Sequence, residues 1–310
     1  MRAGVRLGLN TRLLIPVALL APGLALILLL FLYPLLRLVV QSFIEPHPGI
    51  ENYVEVATDP TLWQIIETTL IISAQCTGAT LLLAYPVSYL LSQLPRRRAN
   101  LLMMFVLLPF WTSLLVRMYA WMVLLGRHGI INEILTGSDI TSSPLPMLYN
   151  RFAVIVGMSH FLLPFMILSL YSTMIGIDRS LIEAASSMGS SWRQTFLRIY
   201  LPLSLPGIYA GCLLVFILAM GFYITPALLG SPQETTISVY IQQQIQFLNW
   251  GEGTAMAVIL VAIVIGLFAL YDRLLGFDKL FRDVVRVDLS ASFESRIKQV
   301  GADCDIHESR

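Results

Sequence analysis

Arg117 lies in the apolar stretch Pro109–Trp121, PFWTSLLVRMYAW, as a full charge among hydrophobic neighbours. An arginine at membrane depth is expensive and has to face a partner, a carbonyl or a wet cavity. Two readings stand side by side. Arg117 is either part of a solute pathway or an anchor toward the outer rim of its span, with Tyr119 and Trp121 as an interfacial aromatic belt. Trp111 on the same stretch joins it as a pathway candidate, as do Tyr223 and Thr225 in GCLLVFILAMGFYITPALLGS, Gly211–Ser231. Gly221 and Pro226 weaken the helix around those two residues, which suits a gate or cavity wall; ordinary packing at small residues is the competing reading. Glu67 and Arg37 sit near the rims of their spans, where both can reach water. His160 is alone in its span, and a packed, hydrogen-bonded imidazole is expected there.

Hydrolytic and metal chemistry find no pattern to rest on. The two lysines, Lys279 and Lys298, follow Asp278 and Ile297, so no Gly-Lys-Ser/Thr phosphate loop exists. An ATP-driven process would need its motor in another subunit. The four histidines are far apart, and Cys76, Cys212 and Cys304 make neither a zinc spacing nor a disulfide framework. No cofactor, metal or nucleic-acid partner is expected. An intramembrane enzyme lacks any convergent catalytic set.

The elements that position these residues follow from composition. Of 310 residues, 56% are hydrophobic and 13% charged, with mean hydropathy +0.75, too little charge to coat a soluble domain of this size. Six apolar runs, approximately 13–43, 63–94, 100–126, 151–177, 203–230 and 253–275, match a hydrocarbon core of about 30 Å. The first run is far longer than the core of a signal peptide, so a retained anchor is expected. Sixteen of the twenty Lys and Arg fall in residues 1–12, the turn at Arg96–Arg98, the loop 178–202 and the C-terminal end from Arg273 onward. By that asymmetry both termini and the 178–202 loop face the cytoplasm, and membrane lipid surrounds the rest. The expected organisation is a cytoplasmic segment 1–12, a transmembrane domain 13–275 and a cytoplasmic tail 276–310.

The most polar internal segment is EAASSMGSSWRQTFLRIYLP, Glu183–Pro202. A short helix to about Met188, a turn at Gly189 and a second short helix from Trp192 to Ile199, stopped at Pro202, fit its residues. By physics alone it is an amphipathic connector on the membrane surface. Its spacing resembles the signature loop of permease subunits in binding-protein-dependent ABC importers: Glu183, Ala184, Ala185, then Gly189, Ile199, Leu201 and Pro202. LPFWTSLLVRMYAW, LLPFMILSLYSTM, GCLLVFILAMG and ITPALLG resemble the spermidine/putrescine-type branch across roughly residues 60 to 275.

That resemblance implies an all-α membrane protein of six transmembrane helices with the type I, MetI-like permease fold, in a bacterial inner membrane. It implies that the 178–202 loop couples to a cytoplasmic ATPase subunit, present in two copies. A second homologous permease and an extracytoplasmic substrate-binding protein would complete an importer of polyamines or related amines and amino-acid derivatives. Polyamines are cations, yet no carboxylate lies deep in any run. The alternative is an ion-coupled secondary transporter acting without an ATPase, which ordinarily shows acids or broken polar helices at the midplane.

Topology is open to direct test in a cysteine-free background. Single cysteines at Glu55 and Glu234 are expected to react with an impermeant thiol reagent added outside, and cysteines at Arg97 and Arg193 only after the membrane is opened. The reverse pattern contradicts the orientation.

Overall fold

The computed structural model describes residues 20–45 and 47–275. The expectations for residues 1–12, for the start of the first run at 13–19, for the tail 276–310 and for Cys304 lie outside the described residues. Among the described residues every regular element is helical, and six helical runs are long and apolar enough to cross a membrane.

The first, α1 (Leu20–Ile44), exposes nearly every large side chain along its length, as a helix bathed in lipid or awaiting a neighbour does. α2 (Glu51–Thr58) is short and held by Asn52, whose amide donates to Ser42 O at 2.9 Å and Glu45 O at 2.7 Å. α3 (Pro60–Gln93) starts where Asp59 accepts from the Thr61 N–H at 2.7 Å and Pro60 takes the first helical position, whose N–H would be unbonded anyway. It ends at an extended Leu94, as the residue before Pro95 is biased to be.

The third apolar run is not one helix. It divides into α4 (Arg96–Leu107), a 3₁₀ turn at Leu108–Trp111, and α5 (Leu114–Leu125). Pro109 supplies no N–H to continue the ladder, and Thr112 closes the turn by donating its N–H to Pro109 O at 3.1 Å. The segment after it holds α6 (Ile130–Gly137), fixed by buried Asn132, which bonds Gly126 O and both backbone groups of Leu145.

α7 (Arg151–Met174) is the central helix, capped by Asn150, which accepts from the Ala153 N–H at 3.0 Å. After α8 (Arg179–Ser187), α9 runs without interruption from Trp192 to Met220. The expected stop at Pro202 is therefore corrected. A wide turn at Phe196–Tyr200, in which the Leu201 N–H reaches five residues back to Phe196 O, opens the helix just before the proline. A proline ring presses on the carbonyl four residues back, and a wider turn relieves that contact. α1 uses the same device: a wide turn at Leu28–Leu32 precedes Pro34. α10 (Ile224–Leu229), α11 (Ile237–Gln246) and α12 (Trp250–Leu275) complete the chain.

The core lies among α3, α7 and α9. Ile72, Cys76 and Leu91 of α3 pack on Met158, Leu162, Met166 and Leu170 of α7, which also meet Val215 and Ala219 of α9. Lipid is as apolar as leucine, so close van der Waals approach and hydrogen bonds hold such helices together, and small residues allow the approach. Gly207 shows it. A Cβ there would stand 2.7 Å from Thr173 Oγ1, while Ser169 of α7 donates across the gap to Gly207 O at 3.2 Å. A second cluster joins α2, α3, α11 and α12 through Val56, Leu62, Ile66, Ile237 and Met256, with the Ile237 N–H donating to Thr69 Oγ1 at 2.8 Å. A third joins α5, α7 and α10 through Met118, Leu125, Ala153 and Leu229.

Gly207→Leu is expected to force α9 off α7 and cost about 1–3 kcal/mol, as overpacking does. Gly78→Leu, where a Cβ meets nothing within 4 Å, is the control. A lowered Tm in detergent for the first alone is the expected result; equal Tm values contradict the close contact.

Candidate translocation surface and coupling loop

Two interruptions of helical backbone meet at the middle of α7. One is the Leu108–Ser113 break between α4 and α5; the other is the Gly221–Tyr223 break between α9 and α10. Phe110 from the first and Phe222 from the second both lie against Phe161, with ring centroids 5.7 and 4.9 Å away, and Phe165 completes the cluster at 6.0 Å. Phe110 also meets Phe165 edge-on at 5.2 Å. The Phe222 N–H is bonded to Ala219 O and the Ala227 N–H to Tyr223 O, so turn geometry absorbs part of the cost of the break.

Arg117 belongs to this cluster. Its guanidinium carbon stands 5.2 Å from the Phe161 ring centroid, within cation–π range, and one terminal nitrogen donates to Thr112 O at 3.4 Å. Its Nε is enclosed and has no hydrogen-bond partner among the described residues. The arginine thus reaches back to the opened backbone of the α4–α5 break and across to α7. Trp121 is held on α7 as well, donating its indole N–H to His160 Nδ1 at 3.3 Å. That bond gives His160 the packed, partnered state its isolation in sequence suggested.

The other pathway candidates separate. Trp111 is 91% exposed and Tyr223 is partly exposed, both at the breaks. Thr225 is fully buried, and its hydroxyl donates to Met118 Sδ at 3.1 Å, beside Gly157 of α7. It packs α10 onto α5 and α7, and offers no surface to a solute in this conformation. Sequence reasoning passed over Phe161 and Phe165. Their spacing of four on one helix face was a usable signal, but only the fold reveals that two breaks converge on them.

At the other end of the molecule the Glu183–Pro202 loop is two capped helices about a rigid corner. Asp178 accepts from the Ser180 N–H at 2.9 Å to start α8, and that bond holds its carboxyl below the usual carboxylate range. Gly189 has φ +78°. Around it the Ser190 N–H bonds Ala185 O and the Gly189 N–H bonds Ser186 O, the paired closure that ends many helices on a left-handed glycine. Ser191 then caps α9 while Gln194 reaches back to the Ser191 N–H, so the donors at the new helix start are satisfied reciprocally. Thr195 donates to Ser190 Oγ at 3.1 Å and ties the two helices. Glu183, Ala184, Gly189 and Pro202 are exposed, Ile199 and Leu201 half-buried, and Ala185 is 3% exposed, turned inward. Met188, Trp192 and Leu197 stand out from the loop as exposed apolar side chains.

Helices of membrane-spanning length, with two backbone breaks against one aromatic cluster, have the construction that membrane transporters use at solute sites. The chain belongs to the family described as binding-protein-dependent transport system inner membrane component, whose pattern matches residues 80–277. The spermidine/putrescine transport system permease protein PotB of Escherichia coli (strain K12) is 37% identical over 232 residues, 74% of this chain and 83% of that relative. PotB of Haemophilus influenzae is 38% identical over 225 residues, 72% and 78% of the two chains. A bacterial alginate ABC transporter, solved with its alginate-bound periplasmic protein, shares the fold at TM-score 0.67 and 20% identity, covering 84% of this chain and 94% of that one. The protein is a multi-pass inner-membrane permease subunit and a transport component, not an enzyme. Family membership sets aside the secondary-transporter alternative.

At Gly189 a Cβ would meet nothing within 4 Å, so a substitution there acts through backbone conformation alone. Gly189→Ala is expected to cost about 1–2 kcal/mol. Hydrogen exchange at the Ser190 and Gly189-site amides should quicken by about fivefold or more, with span amides unchanged. Unchanged protection at both amides contradicts the left-handed corner.

Proposed function

We propose that this chain forms, with a second homologous permease, the pathway of an ATP-driven importer for small organic amines of the polyamine class. Two copies of a cytoplasmic ATPase subunit would dock on the 178–202 loop, and a soluble binding protein outside would deliver the solute. The organisation is a cytoplasmic segment 1–12, a permease domain 13–275 and a cytoplasmic tail 276–310, with both termini on the ATPase side. The charge asymmetry supports the orientation, and the similarity to PotB supports the solute class. The loop's exposed Met188, Trp192 and Leu197, beyond the spans, suit an apolar groove on a partner. Glu183, Ala184, Ala185, Gly189, Ile199, Leu201 and Pro202 hold that surface in shape.

The observation that carries the pathway reading is the convergence of two helix breaks on Phe161. Irregular backbone within a membrane is tolerated only where protein covers it or a wet cavity adjoins it, and discontinuous helices mark solute sites. Trp111, Arg117 and Tyr223 line that surface, with Thr225 packed behind it. Aromatic faces there can hold an ammonium group at about 0.5–2 kcal/mol each. The carboxylates of the long described helices, Glu67, Glu252 and Asp272, stand toward the helix ends, so acidic partners for a polyamine would come from the second permease or the binding protein.

The test is uptake of labelled solutes by the reconstituted complex with its binding protein. ATP-dependent uptake of di- and triamines, ahead of amino acids and sugars, is the expected result, and Arg117→Leu should assemble normally while lowering uptake by about tenfold. Preference for a sugar or an amino acid overturns the solute class. Normal uptake by Arg117→Leu returns that residue to a rim anchor.

A further inference from the structure

Five aromatic rings connect the exposed face of the loop to the interior. Trp192, Phe196 and Tyr200 recur every four residues at the start of α9 and stack nearly parallel: Trp192 on Phe196 at 5.6 Å and 19°, Phe196 on Tyr200 at 6.0 Å and 15°. In an ordinary α-helix residues four apart are offset by about 40° around the axis. The wide turn at Phe196–Tyr200 takes more residues per revolution and brings the Phe196 and Tyr200 positions closer to eclipse. Against this stack stand Tyr85 and Tyr89 of α3, edge-on. Tyr85 and Tyr89 each meet Phe196 at 6.0 Å, and Tyr89 meets Tyr200 at 4.9 Å, all between 84° and 88°. Hydroxyls lock the assembly in register: Tyr200 with Ser92 Oγ at 2.8 Å, and Tyr85 with Ser204 Oγ at 3.0 Å.

We propose that this ring ladder is the element that carries displacement of the loop into α3, with Phe196 as its central positioning residue. The inference rests on the reading of the loop as the ATPase docking site. Trp192 is 68% exposed, at the face where a partner would press, while Tyr200 is 3% exposed within the α3–α7–α9 core. Edge-to-face rings resist sliding because displacement loses a directional contact, and close-packed side chains transmit strain where a loose contact would absorb it. The two hydroxyl bonds bring α3 along when α9 turns. Since α3 packs on α7, which carries Phe161, motion at the loop reaches the pathway surface through few contacts. The wide turn also explains why Pro202 belongs there: it holds open the turn that aligns the rings.

The experiment uses the complete reconstituted complex and reads solute imported per ATP hydrolysed. Phe196→Leu stays apolar but removes the ring; it should leave the complex assembled and lower the ratio by about tenfold, four ring contacts being lost. Tyr89→Leu, on a different helix and away from the docking face, should do the same, and Phe196→Tyr should restore the ratio. A cysteine at Ser187 reports docking separately, by cross-linking to the ATPase subunit. Cross-linking with an unchanged ratio in both Leu variants overturns the ladder alone. Absence of cross-linking in the otherwise unaltered complex overturns the docking reading and the ladder with it. A fall in ratio that Phe196→Tyr does not restore assigns the effect to packing volume and overturns the role of the ring.

Discussion

Hydrocarbon offers no hydrogen bonds, so a peptide group released from a helix within the membrane must be bonded by the protein or by water it admits. Much of this structure follows from how that demand is met at a few places. At Pro109 the chain turns tightly, Thr112 closes the turn with its own N–H, and Arg117 comes back to Thr112 O. At Gly221 the break is closed by Phe222 and Ala227 in the same local way. Before Pro34 and Pro202 the helix instead opens by one residue and continues. Prolines that look equivalent in sequence therefore do different work. Some end helices beside a candidate pathway, and others only shape them.

The two candidate functional regions differ in construction. The α8–α9 corner is saturated with caps, so its shape is set locally and would survive contact with a partner. The Phe161 surface is held by aromatic contacts between separate helices, with few directional bonds, and can rearrange when those helices tilt. In the proposed importer the corner would act as a stiff lever and the Phe161 surface as a yielding wall, and the α3–α7–α9 core lies between them.

Much of this was legible in sequence. Arginine placement and apolar length mark the spans, and the spacing from Glu183 to Pro202 marks the loop, because those signals are local and strong. The corner at Gly189 was readable for the same reason: glycine takes φ +78° cheaply, and the capping box of Ser191 and Gln194, which the structure adds, starts the next helix. What sequence could not show depends on which helix touches which. Composition alone makes 100–126 one apolar run, and nothing in it says that Pro109 breaks the helix while Pro202 does not. Thr225 reads like a polar wall residue until Met118 and Gly157 are seen around it. Phe161 and Phe165 drew no reading in sequence, because only the fold brings two breaks against them.

In the proposed pathway the breaks at Trp111 and Tyr223 border a wet, solute-accessible surface. Single cysteines at Trp111, Tyr223, Leu83 and Phe268, with Cys76, Cys212 and Cys304 replaced, would be exposed in the assembled complex to a small charged thiol reagent. All four native side chains are exposed in this chain, so exposure alone does not separate them. Reaction at 111 and 223, slowed by a polyamine supplied with the binding protein, and silence at 83 and 268 is the expected result. Cysteines at 111 and 223 as unreactive as those at 83 and 268 would place both breaks against lipid or protein and contradict the pathway.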